Sequence, residues 1–366
     1  MELLPPPPSQ EGGVHVVVGM NSGDAGELSY ANNSDMQRTI AAATRKERQQ
    51  MAAAVRRARR HATAMAIADL GCATGPNALL MAADAVEAML ADADRQQEAP
   101  PAEFHVFLND LPSNDFNSVF RQKQKLLPPE RESSCRCLLS AWPGSFYGRI
   151  FPADSLDYVV SSSSLHFLSR APADAAPNEG RMYVSATAGG ASRSRVLDAY
   201  RAQFQADFRL FLACRAEEVR RGGLLLLTFV ARREAVPSPH DCHLWDLLAE
   251  ALLVVDDARR KLDSFDAPFY GPCPEELTEA IREEGSFEVR RMELFEVSRC
   301  QAQAAELAAQ TSSTIRAVVE PMLGAHFGWD AMDALFRRYT QLLDKYYRHN
   351  DKLDQLTNVF LALDKI

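Results

Sequence analysis

Positive charge is scarce in this chain, where a nucleic-acid binder would need it. There are 40 Lys and Arg against 49 Asp and Glu, a formal net charge of −9. A phosphate backbone is bound by basic side chains that replace its counterions, so this balance argues against nucleic acid as a partner. It also disfavours an anionic membrane surface. Long apolar runs are missing as well. The longest, Gly222–Ala231, has the length of a strand, far short of the roughly 20 residues of a membrane span. The seven cysteines, Cys72, Cys135, Cys137, Cys214, Cys242, Cys273 and Cys300, are odd in number and contain no CxxC pair. A disulfide framework and a structural zinc site are therefore not expected, and a reducing cytoplasm fits best. Residues 1–13 carry Pro5–Pro8 and have no apolar core segment, so they read as a disordered tail and not as a secretory leader.

What remains is an ordinary globular composition, 46% apolar and 24% charged over 366 residues, long enough for one large core. Met65–Gly71 (MAIADLG) reads as a short buried strand. Pro76–Leu90 follows with helical spacing, and Pro76 suits a first helical turn. Asp92–Glu103, with Pro100 and Pro101, reads as a loop. Phe104–Asn109 alternates and reads as a second strand, and a helix is expected over Asp115–Leu127. Leu138–Ala141 and Leu156–Ser161 read as third and fourth strands. Ser192–Arg221 reads as a long helix closed at Gly222–Gly223, and Leu224–Val230 as a strand covered on both faces. Strands alternating with helices imply an α/β fold with a parallel, doubly wound sheet. Beyond about Val236 the pattern turns mainly helical, with one strand at Phe287–Glu296. The expected organisation is a tail over 1–13, an α/β core with an N-terminal arm over 14–235, and a mainly helical cap with a returning core strand over 236–366. A basic helix, Glu47–His61, ends in Arg56, Arg57, Arg59 and Arg60, which reads as a solvated face.

The strongest chemical signal is Ile67-Ala68-Asp69-Leu70-Gly71-Cys72-Ala73-Thr74-Gly75-Pro76-Asn77, a buried strand running into a glycine turn and then a helix. Gly71 allows a ligand close to the backbone, at the strand end where open α/β sheets bind ligands. The spacing is GxxxG rather than the GxGxxG of dinucleotide folds, and Pro76 has no N–H for a phosphate. Asp69 puts negative charge beside the turn, which suits a cationic ligand such as S-adenosylmethionine (SAM). NAD binding and a plain structural turn are the alternatives. Asp110, at the end of the second strand, is placed to accept bonds from ribose hydroxyls, or else to cap a turn.

Further segments carry a family likeness. Ser29-Tyr30-Ala31-Asn32-Asn33-Ser34-Asp35-Met36-Gln37, Leu108–Asn117 (LNDLPSNDFN), Pro143–Arg149 (PGSFYGR), Ser164–Ser169 (SLHFLS) and Arg316–Pro321 (RAVVEP) resemble the plant SABATH carboxyl methyltransferases. The likeness covers nearly all of the chain after Val14. It implies a Rossmann-like seven-stranded methyltransferase sheet with a helical cap, and SAM as cofactor. Tyr30, Ser34, Asp69, Gly71, Cys72, Asn77, Asp110, Leu111, Ser145, Phe146 and Ser162 match cofactor contacts. Gln37, Ser163, His166, Phe167, Leu244 and Trp245 match the substrate shell. A magnesium site away from the chemistry is also implied, at Asn178, Asp263, Phe265 (through its carbonyl) and Asp266, where the family usually has Asn. Members often form homodimers, and no interface is legible in the sequence.

Two departures stand out. The indole that normally donates to the substrate carboxylate is replaced by Phe167, which has no N–H, and the usual tyrosine four residues earlier is Ser163. Gln37 keeps the other donor. Ser163, or His166 if protonated, are candidate replacements for the missing donor. An acid with a pKa near 4 is already ionised at neutral pH, so no general base is expected and no catalytic triad is evident. A small carboxylic acid is the expected substrate. The Tyr-to-Ser change favours a larger one, of jasmonate, indole-3-acetate or gibberellin-like size, over salicylate or benzoate. An N-methyltransferase of a xanthine-like heterocycle and a non-catalytic cofactor- or hormone-binding protein are the alternatives.

Overall fold

The structure is a computed structural model. It describes Met20 and residues 30–75, 77–127, 129–173, 178, 180–186, 188, 190–254, 258–298, 303–350 and 355–366. The expected tail over 1–13, Pro76 and Cys300 lie outside the described residues.

Seven strands form one sheet: β1 (Ala64–Leu70), β2 (Glu103–Asn109), β3 (Arg136–Ala141), β4 (Leu156–Ser162), β5 (Val219–Val230), β6 (Phe287–Ser298) and β7 (Gln355–Lys365), in the order β3-β2-β1-β4-β5-β7-β6. β1 to β5 pair in parallel, and β7 lies antiparallel between β5 and β6. From β1 the chain builds outward through β2 and β3, then returns to place β4 on the other side of β1. The reversal leaves a crevice at the carboxyl ends of β1 and β4, the place where such sheets hold ligands.

Each face of the sheet is covered because each buried strand is apolar on both sides. One core packs α2 (Arg45–Ala58) and α3 (Leu80–Gln96) against Ile67, Val106 and Leu226. The opposite core packs α5 (Gly190–Glu218) and α8 (Pro274–Glu284). In α5, Val196, Tyr200, Phe204, Phe208 and Phe211 recur at helical spacing and are all buried. The Phe204 and Phe208 rings stack at 5.4 Å. Above the carboxyl ends of the strands sit α1 (Asp35–Ala43), α6 (Pro239–Leu252), α9 (Ala304–Phe327) and α10 (Met332–His349), while α4 (Phe116–Phe120) and α7 (Ala258–Leu262) are short. The arginines closing α2 are paired rather than free: Arg56 with Glu98, Arg57 with Asp92 and Arg59 with Asp157.

Several local expectations differ from the structure. Gly222–Gly223 does not cap α5. The helix stops at Glu218, and the glycines lie inside β5, where the register against β4 slips between Leu156 and Tyr158. Gly222 at φ +76 supplies the bulge. The helix expected from Pro76 starts at Leu80, because Asn77–Leu79 form a turn tied to α1. It runs on to Gln96, into the expected loop, and stops at a left-handed Gln97. The helix expected over Asp115–Leu127 is one short turn capped by Asp115, followed by 3-10 turns. The segment after Val236 gives the sheet two strands, β6 and β7.

Candidate active site

β1 carries Asp69 and Leu70 into the crevice and hands the chain to Gly71. Gly71 sits at φ +73, and a Cβ there would lie 2.2 Å from Ser164 Oγ, so both backbone angle and space require glycine. The turn is pinned to β2: Gly71 N and Cys72 N donate to Asn109 O at 2.9 and 3.0 Å. Ala73, itself left-handed at φ +53, donates its N–H to Asp110 Oδ2 at 2.7 Å, and Leu111 N donates to Asp110 Oδ1 at 2.7 Å. The long LNDLPSNDFN motif thereby acquires a physical purpose. Asn114 donates to Ala73 O at 3.0 Å and Ser118 meets Thr74, while the following Gln122 donates to Gly75 O at 3.1 Å. Asn77 reaches the arm instead, donating to Ser34 Oγ at 2.9 Å and accepting from Arg38 at 3.3 Å.

Two carboxylates, Asp69 and Asp110, set the electrostatics of the crevice. Asp69 is 3% exposed. Burial first, and the charge of Asp110 second, push its carboxyl up to about 7, with Arg48 pulling it back. Burial also raises Asp110, against the two backbone N–H groups that favour its ionised form. The buried Tyr30 phenol is raised by burial and then by both carboxylates. Two carboxylates held apart from solvent and close enough to feel each other fit a positively charged ligand such as SAM.

The wall beside the turn is the 143–151 loop. Phe146 brings its ring to 3.6 Å from the position of a Gly71 Cβ. Ser145 is exposed, and its Oγ accepts from Tyr147 N at 3.3 Å. Ser162 closes β4 beside Thr228. Two residues that sequence reasoning missed hold this loop. Arg215 donates to Phe146 O and Gly148 O, both at 2.9 Å. Glu218 Oε1 accepts from Ile150 N at 2.6 Å and Phe151 N at 2.9 Å. The two side chains pair at 2.7 Å with no exposed surface. A charged i,i+3 pair on the apolar face of a helix was the signal available.

A cleft enclosing about 1350 Å³, its open mouth included, adjoins this crevice; Gln37, Ser163, His166, Phe167, Leu244 and Trp245 all line it. The six residues expected around the substrate thus converge. Ser163 holds a left-handed φ of +59, an unfavourable angle for a side-chain-bearing residue, and its Oγ is buried without a partner among the described residues. The Oε1 of Gln37 is likewise buried and unpartnered. Phe269, absent from the expected set, anchors the aromatic wall, with its ring 5.2 Å from His166, 5.4 Å from Trp245 and 5.4 Å from Tyr183. Its partner across an isolated β-bridge is Phe167. Tyr147 joins the two regions by donating to Phe167 O at 2.6 Å.

His166 is not the cation considered from the sequence. Its Nδ1 accepts from Val230 N at 3.3 Å, and burial drives its pKa down to about 3. The ring is neutral, with its proton on Nε2.

At the expected metal positions, Asn178 donates its amide to Asp266 at 3.2 Å and to Tyr183 O at 3.2 Å, while Asp263 lies exposed on the surface. Phe265 turns a buried side chain inward. The contact between them uses the Asn178 amide N–H and one carboxylate oxygen of Asp266. Among the described residues no group of three or more His, Cys, Asp or Glu converges.

Comparison with known proteins agrees with the geometry. A family model described as "SAM dependent carboxyl methyltransferase" matches residues 15–366. The chain is 37% identical over 377 residues to "Jasmonate O-methyltransferase" of Arabidopsis thaliana, covering 90% of this chain and 94% of that one. It is 37% identical over 354 residues to "Salicylate carboxymethyltransferase" of Clarkia breweri, covering 93% and 96%. Among solved structures it resembles "Loganic acid methyltransferase with SAH", with a TM-score of 0.81, 30% identity and coverage of 94% and 98%. No helix of the described residues is long and apolar enough to cross a membrane.

Proposed function

Since this chain belongs to the family of SAM-dependent carboxyl methyltransferases, we propose that it forms the methyl ester of a carboxylic acid larger than a benzoate, of jasmonate-like size, without a general base. The observation that carries the reading is the cleft beside Gly71, where donor-capable groups converge and the His166 imidazole is neutral.

SAM, when bound, supplies a methyl group on a sulfonium centre: a carboxylate oxygen forms the new C–O bond, the C–S bond breaks, and its electron pair stays on sulfur. The chain's own residues bind, orient and exclude water. Asp69, Asp110, Tyr30, Ser34 and Asn77 are suited to hold the donor, with Gly71, Cys72, Leu111, Ser145, Phe146 and Ser162 around it. Gln37 is suited to grip the acid's carboxylate. The hydroxyl of Ser163 and the Nε2–H of His166 are suited to the place of the absent indole, since both are donors in the same cleft. Each charge-assisted bond of this kind contributes about 1.5–3 kcal/mol. Alignment and dryness are the main catalytic tools for such a transfer. Ser163, smaller than tyrosine, leaves room for a larger acid.

The test is a mass-spectrometric screen with methyl-labelled SAM against separate pools of acids and xanthines. The expected product is a labelled methyl ester from a bulky acid. Label appearing only on a ring nitrogen, or SAM binding without transfer to any pool member, would overturn the reading.

A further inference from the structure

Residues 164–169 run between the crevice and the cleft, and the segment is held along its length. Its start is fixed to the glycine turn, where Ser164 Oγ donates to Gly71 O at 3.3 Å. Its end is fixed to α5, where Asp207 accepts from Ser169 N at 2.8 Å and from Ser169 Oγ at 2.7 Å. In between, His166 O accepts from Tyr270 N and Leu168 N donates to Pro268 O, both at 2.8 Å. The carbonyl of Phe167, whose side chain lines the cleft, takes its bond from the Tyr147 hydroxyl at 2.6 Å. Tyr147 belongs to the 143–151 loop. This bond therefore runs from the wall of the crevice to the wall of the cleft.

The bond starts from a firm base. Arg215 fixes the carbonyls on either side of Tyr147, at Phe146 and Gly148, and Glu218 fixes the N–H groups of Ile150 and Phe151. Phe146 faces Gly71 and meets the Tyr147 ring edge to face, with centroids 4.8 Å apart. Burial first, and the charge of Asp207 second, raise the Tyr147 phenol above its ordinary pKa, so the hydroxyl keeps its proton and stays a donor. A ligand seated against Gly71 and Phe146 thus bears on an assembly whose far end holds Phe167. In-line transfer tolerates little error in such a spacing, since a misplacement of about 1 Å costs on the order of a hundredfold in rate.

We propose that Tyr147 is a positioning residue, whose hydroxyl carries the seating of the cofactor across to Phe167 and so sets the spacing between methyl donor and acid. It acts through Phe167 and touches neither reacting atom. Its loss costs the transfer step and spares the affinity for each ligand, because phenylalanine at this position keeps the ring and its packing on Phe146. The effect on transfer rests on the proposed reaction. The link between the two walls does not, and it is measured separately.

The test compares the wild type with Tyr147→Phe and with Asp207→Asn, which loosens the same segment from the α5 side. Binding of S-adenosylhomocysteine (SAH) is followed by calorimetry, and amide hydrogen exchange at 71–75 and 167–169 is followed with and without SAH. In the wild type and in Asp207→Asn, SAH should slow exchange in both stretches at least threefold. In Tyr147→Phe it should slow exchange at 71–75 alone, with SAH affinity within threefold and one site per chain. Methyl transfer to the acids of the screen, jasmonate and indole-3-acetate among them, should show kcat in Tyr147→Phe lowered by about 10- to 100-fold, with KM for SAM and for the acid within threefold. Protection of 167–169 that survives in Tyr147→Phe, that is absent from the wild type, or that is lost equally in Asp207→Asn overturns the inference. So does a kcat within threefold of the wild type, or a fall in rate matched by a fall in the number of SAH sites. The expected exchange pattern without ester from any acid supports the link and overturns the proposed reaction.

Discussion

Val230 donates its backbone N–H to His166 Nδ1 at 3.3 Å, and that bond fixes what the imidazole can do. With Nδ1 occupied as an acceptor in a buried site, the proton resides on Nε2, and the ring is a neutral donor over the working pH range. It can neither take a proton at Nδ1 nor attract an anion as imidazolium.

The first consequence is a flat pH profile. At saturating SAM, kcat/KM for the acid should change less than twofold between pH 5.5 and 8.5, because His166 titrates near 3 and the substrate is already ionised. A histidine base of ordinary pKa would instead lower the rate about tenfold per unit below 6.5.

Asp69 gives a pH dependence of the opposite kind, in the protein without cofactor. Its raised carboxyl binds a proton on folding between about pH 4 and 7. That contribution is complete below the unfolded value and is lost as pH rises through 7. Asp69→Asn should therefore melt higher than the wild type above pH 7, by a few kcal/mol in order of magnitude at about 1.4 kcal/mol per unit, and the gap should close towards pH 4. SAH, whose ammonium group is cationic, should bind more tightly as pH rises through 7 in the wild type, and without this dependence in the variant. Asp110→Ala should weaken SAH at least tenfold by calorimetry.

Gln37→Ala should lower kcat/KM for the acid by roughly 10- to 150-fold, the value of a hydrogen bond to a charge, while SAH affinity moves less than threefold. Equal losses in both would remove the assignment of Gln37 to the carboxylate.

Gly71→Ala tests the turn itself. The new Cβ meets Ser164 Oγ at 2.2 Å and Ser164 Cβ at 2.7 Å, at a backbone angle suited to glycine. A loss of about 1–3 kcal/mol in unfolding free energy and undetectable SAH binding are expected. A variant that binds SAH normally would show that the backbone does not approach the ligand there.

Arg215→Met separates positioning from contact. Removing the cation strands Glu218 in a site with no exposed surface, at a cost of about 3–5 kcal/mol, and frees the Phe146 and Gly148 carbonyls. Thermal stability should fall and KM for SAM should rise more than KM for the acid. Arg215→Lys should restore part of the stability and little of the KM, because a single ammonium does not span both carbonyls and the carboxylate.

The sequence made the local part of this site legible. Asp69, Gly71 and Asp110 stand at strand ends that apolar runs announce, and the long motifs carried the family likeness. What it concealed was long-range. The pairing of Gly222–Gly223 with β4 turned an apparent helix cap into a bulge, since glycine at positive φ serves both. β7 went unread because a final apolar run declares itself a strand only through its partners, β5 and β6. Nothing local to His166 shows that Val230 sets its tautomer, and nothing near Phe269 shows that it meets Trp245 and Tyr183. Arg215 and Glu218 stand on the apolar face of a long helix, but the loop they hold shows only in the fold.

The central claim is direct methyl transfer to a carboxylate without a base. The most direct measurement is the yield of labelled methyl ester from saturating methyl-labelled SAM and bulky acids at pH 5.5 and 8.5. A labelled ester formed at rates within twofold at the two values is predicted. Tenfold slowing at the lower pH, or label found only on a nitrogen heterocycle, would contradict it.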